Sequence, residues 1–248
     1  MLTIDEIFDD VIEKYKQRTA KKCYKAVKVR NKKPGLKDNK VGGVPYIPKG
    51  CVIPKDSNGE YMALLLQLNL KDIDLEGYPK EGVLEIFSST TIDIEMESKT
   101  VIFPVGLEPE LDLPEINTEE FFVIEPFKIT LEEDIVHMPM VDYRCDTILN
   151  EILAEYDLFV DSVYDLDDNY DKLYNALNLP LITIGGYADF TQYDFRDENS
   201  NLNECIVKME SYDGDMDIGD SGVLCVTCSK KSIQNGSFEG ATLYWDCC

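Results

Sequence analysis

Two glycine pairs about 140 residues apart, each followed at similar intervals by an apolar run and a further glycine, constrain the fold of this chain most. Gly42-Gly43-Val44-Pro45 corresponds to Gly185-Gly186-Tyr187-Ala188, Leu65-Leu66-Gln67 to Ile206-Val207-Lys208, and Gly82-Val83-Leu84 to Gly222-Val223-Leu224. Gly43 to Gly82 spans 39 positions and Gly186 to Gly222 spans 36. Paired glycines before a strand suit a tight turn or a close backbone approach, because they adopt positive φ without a Cβ penalty. Two copies at this offset predict a duplicated unit rather than a solenoid, which needs three or more short repeats.

The periodicity around these landmarks fills in the elements. Ile4, Ile7, Phe8, Val11, Ile12 and Tyr15 form one stripe at helical spacing, and Thr3 with Glu6 fits a capping box, which predicts a helix over about 3–20. Lys21 to Lys40 is basic, is broken by Pro34-Gly35 and reads as an extended or looped connection. Tyr61 to Leu70 reads as a strand buried on both faces and Gly82 to Ser88 as a second, with weaker strands at Thr100 to Val105 and Phe121 to Ile129. A helical section follows, with Asp146 placed to cap the stripe of Ile148, Leu149, Ile152, Leu153 and Tyr156. A second stripe of Tyr170, Leu173, Tyr174 and Leu177 is ended by Asn178 and Pro180. Strands return at Ile182 to Gly185, Cys205 to Met209, Gly222 to Thr227 and Ala241 to Trp245. The gaps between strands are too short for crossover helices, so antiparallel pairing is expected. The expected fold class is α+β, with duplicated antiparallel β-rich units and flanking helices. A single domain over 1–248 would hold repeats at about 38–130 and 180–248, the N-terminal helix, and a helical acidic connector at about 145–179.

A chain of 248 residues buries enough surface to fold without disulfide or metal staples. It has no apolar run of about 18 residues, and its start lacks the basic-then-apolar pattern of a secretory signal, so a cytoplasmic protein with no membrane association is expected. In that setting the eight cysteines read as buried thiols rather than a disulfide framework. The net charge of −24 is uneven. Residues 1–55 hold 14 Lys or Arg against 6 Asp or Glu, whereas Leu107 to Asp171 holds 20 acidic residues against Lys128 and Arg144 only. Such a field repels nucleic acid and anionic membranes and speeds encounter with a basic partner; it also serves plain solubility.

No catalytic constellation stands out. Cys225-Val226-Thr227-Cys228 with Cys247-Cys248 has thiolates in the wrong places for zinc, since residues three apart on a strand face opposite sides. Asp213 to Asp220 alternates carboxylates as a calcium loop does, but Ile218 and Leu224 stand where an EF-hand needs Gly and Glu. His137, the sole histidine, has no Ser or Cys nucleophile near it in the sequence and reads as structural. Neither phosphate-binding loop pattern occurs. No metal or cofactor is expected.

Lys40-Val41-Gly42-Gly43-Val44-Pro45-Tyr46-Ile47-Pro48-Lys49-Gly50, Leu65 to Asn69, Tyr78 to Phe87, Ile184 to Tyr187, Phe190-Thr191-Gln192, Gly219-Asp220-Ser221-Gly222 and Trp245 to Cys248 together resemble the YwqG-like family of bacterial proteins of unknown function. The resemblance spans nearly the whole chain. It implies an α+β architecture with antiparallel sheets and duplication, a bacterial cytosolic setting and, for some members, an immunity-type role. Three positions depart from the family pattern: Ala188 replaces Pro, Lys208 replaces Gln and Ile218 replaces Trp. Two functions from different classes follow. One is a non-catalytic acidic protein that binds a basic protein partner, with Glu119, Glu120, Asp167 and Asp168 as partner-facing residues. The other is an enzyme or small-ligand binder with a site between the repeats, lined by Gln67, Gln192, Asp220 and Trp245.

Overall fold

The computed structural model describes residues 3–91, 96–212 and 214–248. Its helices are α1 (Ile4–Thr19), α2 (Cys145–Leu153), α3 (Tyr170–Leu177) and α4 (Lys230–Gln234). Its strands are β1 (Lys21–Lys28), β2 (Lys40–Val41), β3 (Ala63–Asn69), β4 (Val83–Ser88), β5 (Ser98–Phe103), β6 (Phe127–Val136), β7 (Ile182–Gly185), β8 (Glu204–Glu210), β9 (Val223–Cys228) and β10 (Thr242–Asp246). They form one antiparallel sheet in the order β10-β9-β8-β7-β1-β6-β2-β3-β4-β5. The sheet twists and curls until Cα atoms of its edge strands β10 and β5 come within 8 Å of each other, close to a barrel. Inside the curl, Leu66, Leu68, Leu84 and Ile86 share one core with Ile184, Val207, Met209 and Val226.

On either side of the central β1–β6 pair, four strands follow the same order. The register is also the same: Lys40 faces Gln67 and Gln67 faces Glu85 on one side, while Thr183 faces Lys208 and Lys208 faces Cys225 on the other. Both sides carry an irregularity at matching points, between Leu64 and Leu66 and between Cys205 and Val207. Gly42 follows β2 and Gly185 is the last residue of β7, at φ +66° and +74°. A Cβ would stand 2.5 Å from Val123 Cγ1 at the first and 2.6 Å from Leu75 Cδ1 at the second, so both positions demand glycine twice over.

The segment from Lys21, expected as an extended or looped connection, is strand over its first eight residues and connection only over 29–39. Those first residues form β1, a central strand whose lysines obscured its strand character and are spent on neighbours. Lys21 reaches Glu204 at 2.7 Å, Lys22 reaches Glu133 at 3.1 Å, Lys28 pairs with Asp215, and Lys25 stands opposite Glu132 in the ladder. The strand expected at Phe121 to Ile129 begins instead at Phe127 and runs to Val136. Phe121, Phe122 and Val123 precede it and turn into the core. Asp146 does not cap α2; its carboxylate accepts from Val163 N–H at 2.7 Å, and the cap position is Arg144.

Helix α1 begins with the expected capping box, Glu6 N–H donating to Thr3 Oγ1 and Thr3 N–H to Glu6 Oε2. Its buried face of Phe8, Val11, Ile12 and Tyr15 packs on Leu149, Ile152, Leu173 and Leu177 of α2 and α3, making a helical layer beside the sheet. Buried Asp142 clips this layer to the second half of the sheet by accepting from Arg144 at 2.7 Å and Arg196 at 3.0 Å. Among the described residues, no helix is long and apolar enough to cross a membrane.

Candidate functional site

The loop after β2, the start of β3 and the segment between β5 and β6 enclose a mostly apolar cavity of about 450 Å³. The loop supplies Val44 and Pro45, the strand Leu64, and the third segment Leu113 and Ile116, while Leu36 joins them from the segment before β2. Lining side chains are left in solvent: Val44 is 62% exposed, Leu111 81% and Ile124 57%. Three large apolar groups at one mouth form a patch of the kind that marks a binding surface. Leu107 to Pro126, a strap along this cavity, has seven carboxylates and no Lys or Arg. Of these, Glu110 stands in the cavity lining and Glu108 pairs with Lys49 at 2.7 Å, so the strap beside the apolar mouth is acidic on balance.

A buried polar cluster fixes the wall of this cavity. Lys40 Nζ donates to the carbonyls of Leu36 at 2.9 Å and Val44 at 2.5 Å, the two residues whose side chains line the opening. Gln67 Nε2 donates to Leu36 O at 2.8 Å and Asp38 O at 2.9 Å, while Tyr46 N–H donates to both Gln67 Oε1 and Glu85 Oε1. The loop of the first Gly-Gly motif is thus pinned to β2, β3 and β4 by side chains facing it from three adjacent strands. Burial pulls Lys40 down to about 8, against the charges of Glu85 and Asp38. Burial likewise pushes Glu85 up to about 8, against the Tyr46 N–H bond and the Lys40 charge. Glu85 Oε2 has no hydrogen-bond partner among the described residues, which suits a neutral carboxyl better than a charge.

The four residues expected to line a ligand site do not converge. Gln67 is fully buried in β3, with its amide spent on the loop. Gln192, Asp220 and Trp245 gather at the far end of the second half, where each is engaged with the chain itself. Gln192 Nε2 donates to Cys247 O, Trp245 Nε1 donates to Ile218 O, and Asp220 O accepts from Cys248 N–H. Glu119 and Glu120 are exposed on the strap, next to the cavity-lining Thr118 and Phe121. Asp167 and Asp168 are exposed on the turn that leads into α3, in the helical layer. The two acid pairs thus border different cavities.

The remaining chemistry-bearing groups are engaged within the fold. Cys225 donates to Asp189 O and Cys228 to Glu239 O from buried strand positions, and burial raises both thiols. All eight cysteines are free. Among the described residues, no three His, Cys, Asp or Glu side chains stand close enough together to hold a metal ion. Of the acidic loop, Asp213 lies outside the described residues, Asp215 pairs with Lys28, and Asp217 accepts from Gly219 N–H. His137 Nδ1 lies 3.0 Å from Lys16 O at the end of α1, and burial lowers its pKa.

Sequence reasoning missed Val44, Leu111 and Ile124, because the cavity is assembled from segments far apart in the chain. The available signal was the presence of Leu111, Leu113 and Ile116 among the acids of the strap, more apolar side chains than a solvated linker needs. Residues 39–247 match the model of a family described as a domain of unknown function, DUF1963. No curated protein matches the chain.

Proposed function

We propose that this chain, which belongs to the DUF1963 family, is a non-catalytic binding protein that docks a basic protein partner over the strap and its apolar cavity. One observation carries the reading: exposed Val44, Leu111 and Ile124 open onto a cavity bordered by a strap with seven carboxylates and no basic residue. Apolar anchors supply affinity there, while the acidic border favours cationic partners and speeds their approach. Glu119 and Glu120 face the partner. The resemblance to YwqG-like proteins, some with an immunity-type setting, agrees with such a role in the cytoplasm.

In this reading the chain is a single domain made of two copies of one five-stranded unit, β1–β5 and β6–β10, whose first strands are exchanged, so that the copies run wider than the repeats expected at about 38–130 and 180–248 and β6 belongs to the second. The support is the common order, register and irregularity on the two sides of β1 and β6.

The test is selection of binders from a random peptide library on the full chain. Enriched peptides are expected to carry Lys or Arg beside an apolar anchor. Their affinity should fall on adding salt, and Leu111→Asp or the pair Glu119→Lys and Glu120→Lys should weaken them by roughly 10-fold or more. Enriched peptides without basic bias, or binding indifferent to these exposed substitutions, would contradict the assignment.

A further inference from the structure

A second cavity, of about 620 Å³, lies between the helical layer and the second half of the sheet. Its helical wall carries Tyr164, Tyr170, Tyr174 and Asp171, and its sheet wall carries Asp189 and Glu210. The tyrosines stand in a row, with ring centroids 5.9 Å apart at 28° and then 6.2 Å apart at 7°. Tyr164 and Tyr174 are more than half exposed. Among the described residues, no Lys or Arg lies over any of the three rings, although ten such contacts occur elsewhere in the molecule. Lys172, next to Asp171 in sequence, is turned away to Asp9 of α1 at 2.8 Å.

At the sheet wall, buried Lys208 pairs with Glu210, donates to Pro180 O at 3.1 Å and stands 3.9 Å from Asp189. Its single charge balances Glu210, and burial raises the pKa of Asp189, so the exposed negative charge lies at the tyrosine end, with Asp171 in the wall and Asp167 and Asp168 on the adjoining turn. Carboxylates this dispersed do not make a metal site. Aromatic faces beside carboxylates, in a cavity of small-molecule size and without an internal cation, are the recognition chemistry of an organic ammonium group.

We infer that this cleft binds a small organic cation of the alkylammonium type, held by Tyr164, Tyr170 and Tyr174 with Asp171. The site is separate from the strap and stands whether or not the docking assignment does. Calorimetric titration of the full chain with spermidine tests it, with magnesium chloride at matched ionic strength as the charge-only control and Nα-acetyl-lysine amide, whose ε-ammonium is free, as the side-chain form of the same group. Saturable spermidine binding is expected, tighter than about 1 mM. Tyr174→Ala and Asp171→Asn should each weaken it roughly 5- to 10-fold, and Glu119→Gln with Glu120→Gln should leave it unchanged. Tyr174 and Asp171 are exposed, so thermal unfolding of these variants should match that of the parent. Acetyl-lysine amide binding as tightly as spermidine would support the alkylammonium site with a protein lysine as its source, and weaker binding would support a free amine. No saturable binding, equal displacement by magnesium, or indifference to Tyr174→Ala would overturn the proposal.

Discussion

Glu85 shows how one buried side chain ties stability to pH. Its pKa rises from 4.5 to about 8 on folding, so the folded state holds a proton that the unfolded state has lost over that interval. The associated stability is complete below about pH 4.5 and is lost as pH rises through about 8. Lys40 acts in the opposite sense and at higher pH. Its pKa falls from 10.5 to about 8, so the cost of burying its charge is relieved only between these values. Glu85→Gln keeps the shape and the Tyr46 contact but cannot ionise. In urea unfolding at about pH 5 and about pH 8, the parent should lose on the order of 3 kcal/mol more than this variant; parallel losses would contradict the assignment. Tyr78 makes the same point without charge. Its ring packs edge-on against Phe238 at 5.0 Å, but its buried hydroxyl has no partner among the described residues. Tyr78→Phe should therefore be neutral or stabilising by up to about 1 kcal/mol, as read from the urea midpoint.

Elements were legible wherever apolar spacing carried them. The stripe of α1 and the continuous runs of β3, β4, β8 and β9 announced themselves, because burial on one or both faces leaves a period in the sequence. Strand β1 left none that could be trusted: of its four lysines, Lys21 and Lys22 pair with acids on other strands, Lys28 pairs with Asp215 in a turn and Lys25 stands opposite Glu132, an arrangement visible only once the register is known. The onset of β6 was misplaced for a related reason, since Phe121 to Val123 are as apolar as a strand but serve the core from a loop. Capping is the local signal that transferred best. Thr3→Ala removes the side-chain half of the α1 box and should cost about 1 kcal/mol, lowering the thermal midpoint by a few degrees. An unchanged midpoint would mean that α1 owes its position to packing in the helical layer alone.

At the scale of the whole molecule, the sequence disclosed the order of landmarks and the uneven charge but not where they would meet. Gln67 stands in a motif, yet register turns it beneath the loop of the first glycine pair rather than into a site shared with Gln192, Asp220 and Trp245. The apolar cavity draws on residues 36–45, 53–64 and 110–126, three stretches whose proximity no local pattern encodes. Part of the acidic excess is spent within the fold, Glu133 on Lys22, Glu108 on Lys49 and Asp142 on Arg144 and Arg196, while Glu119 and Glu120 stay exposed on the strap. The docking assignment makes that strap the working surface, and hydrogen exchange of the full chain with a basic, apolar-anchored peptide taken from the selection tests it most directly. Slowed exchange should be confined to residues 42–45 and 107–126, with the tyrosine cleft around 164–174 unchanged. Protection centred on the helical layer or on the end of β10, with the strap exchanging as freely as before, would contradict it.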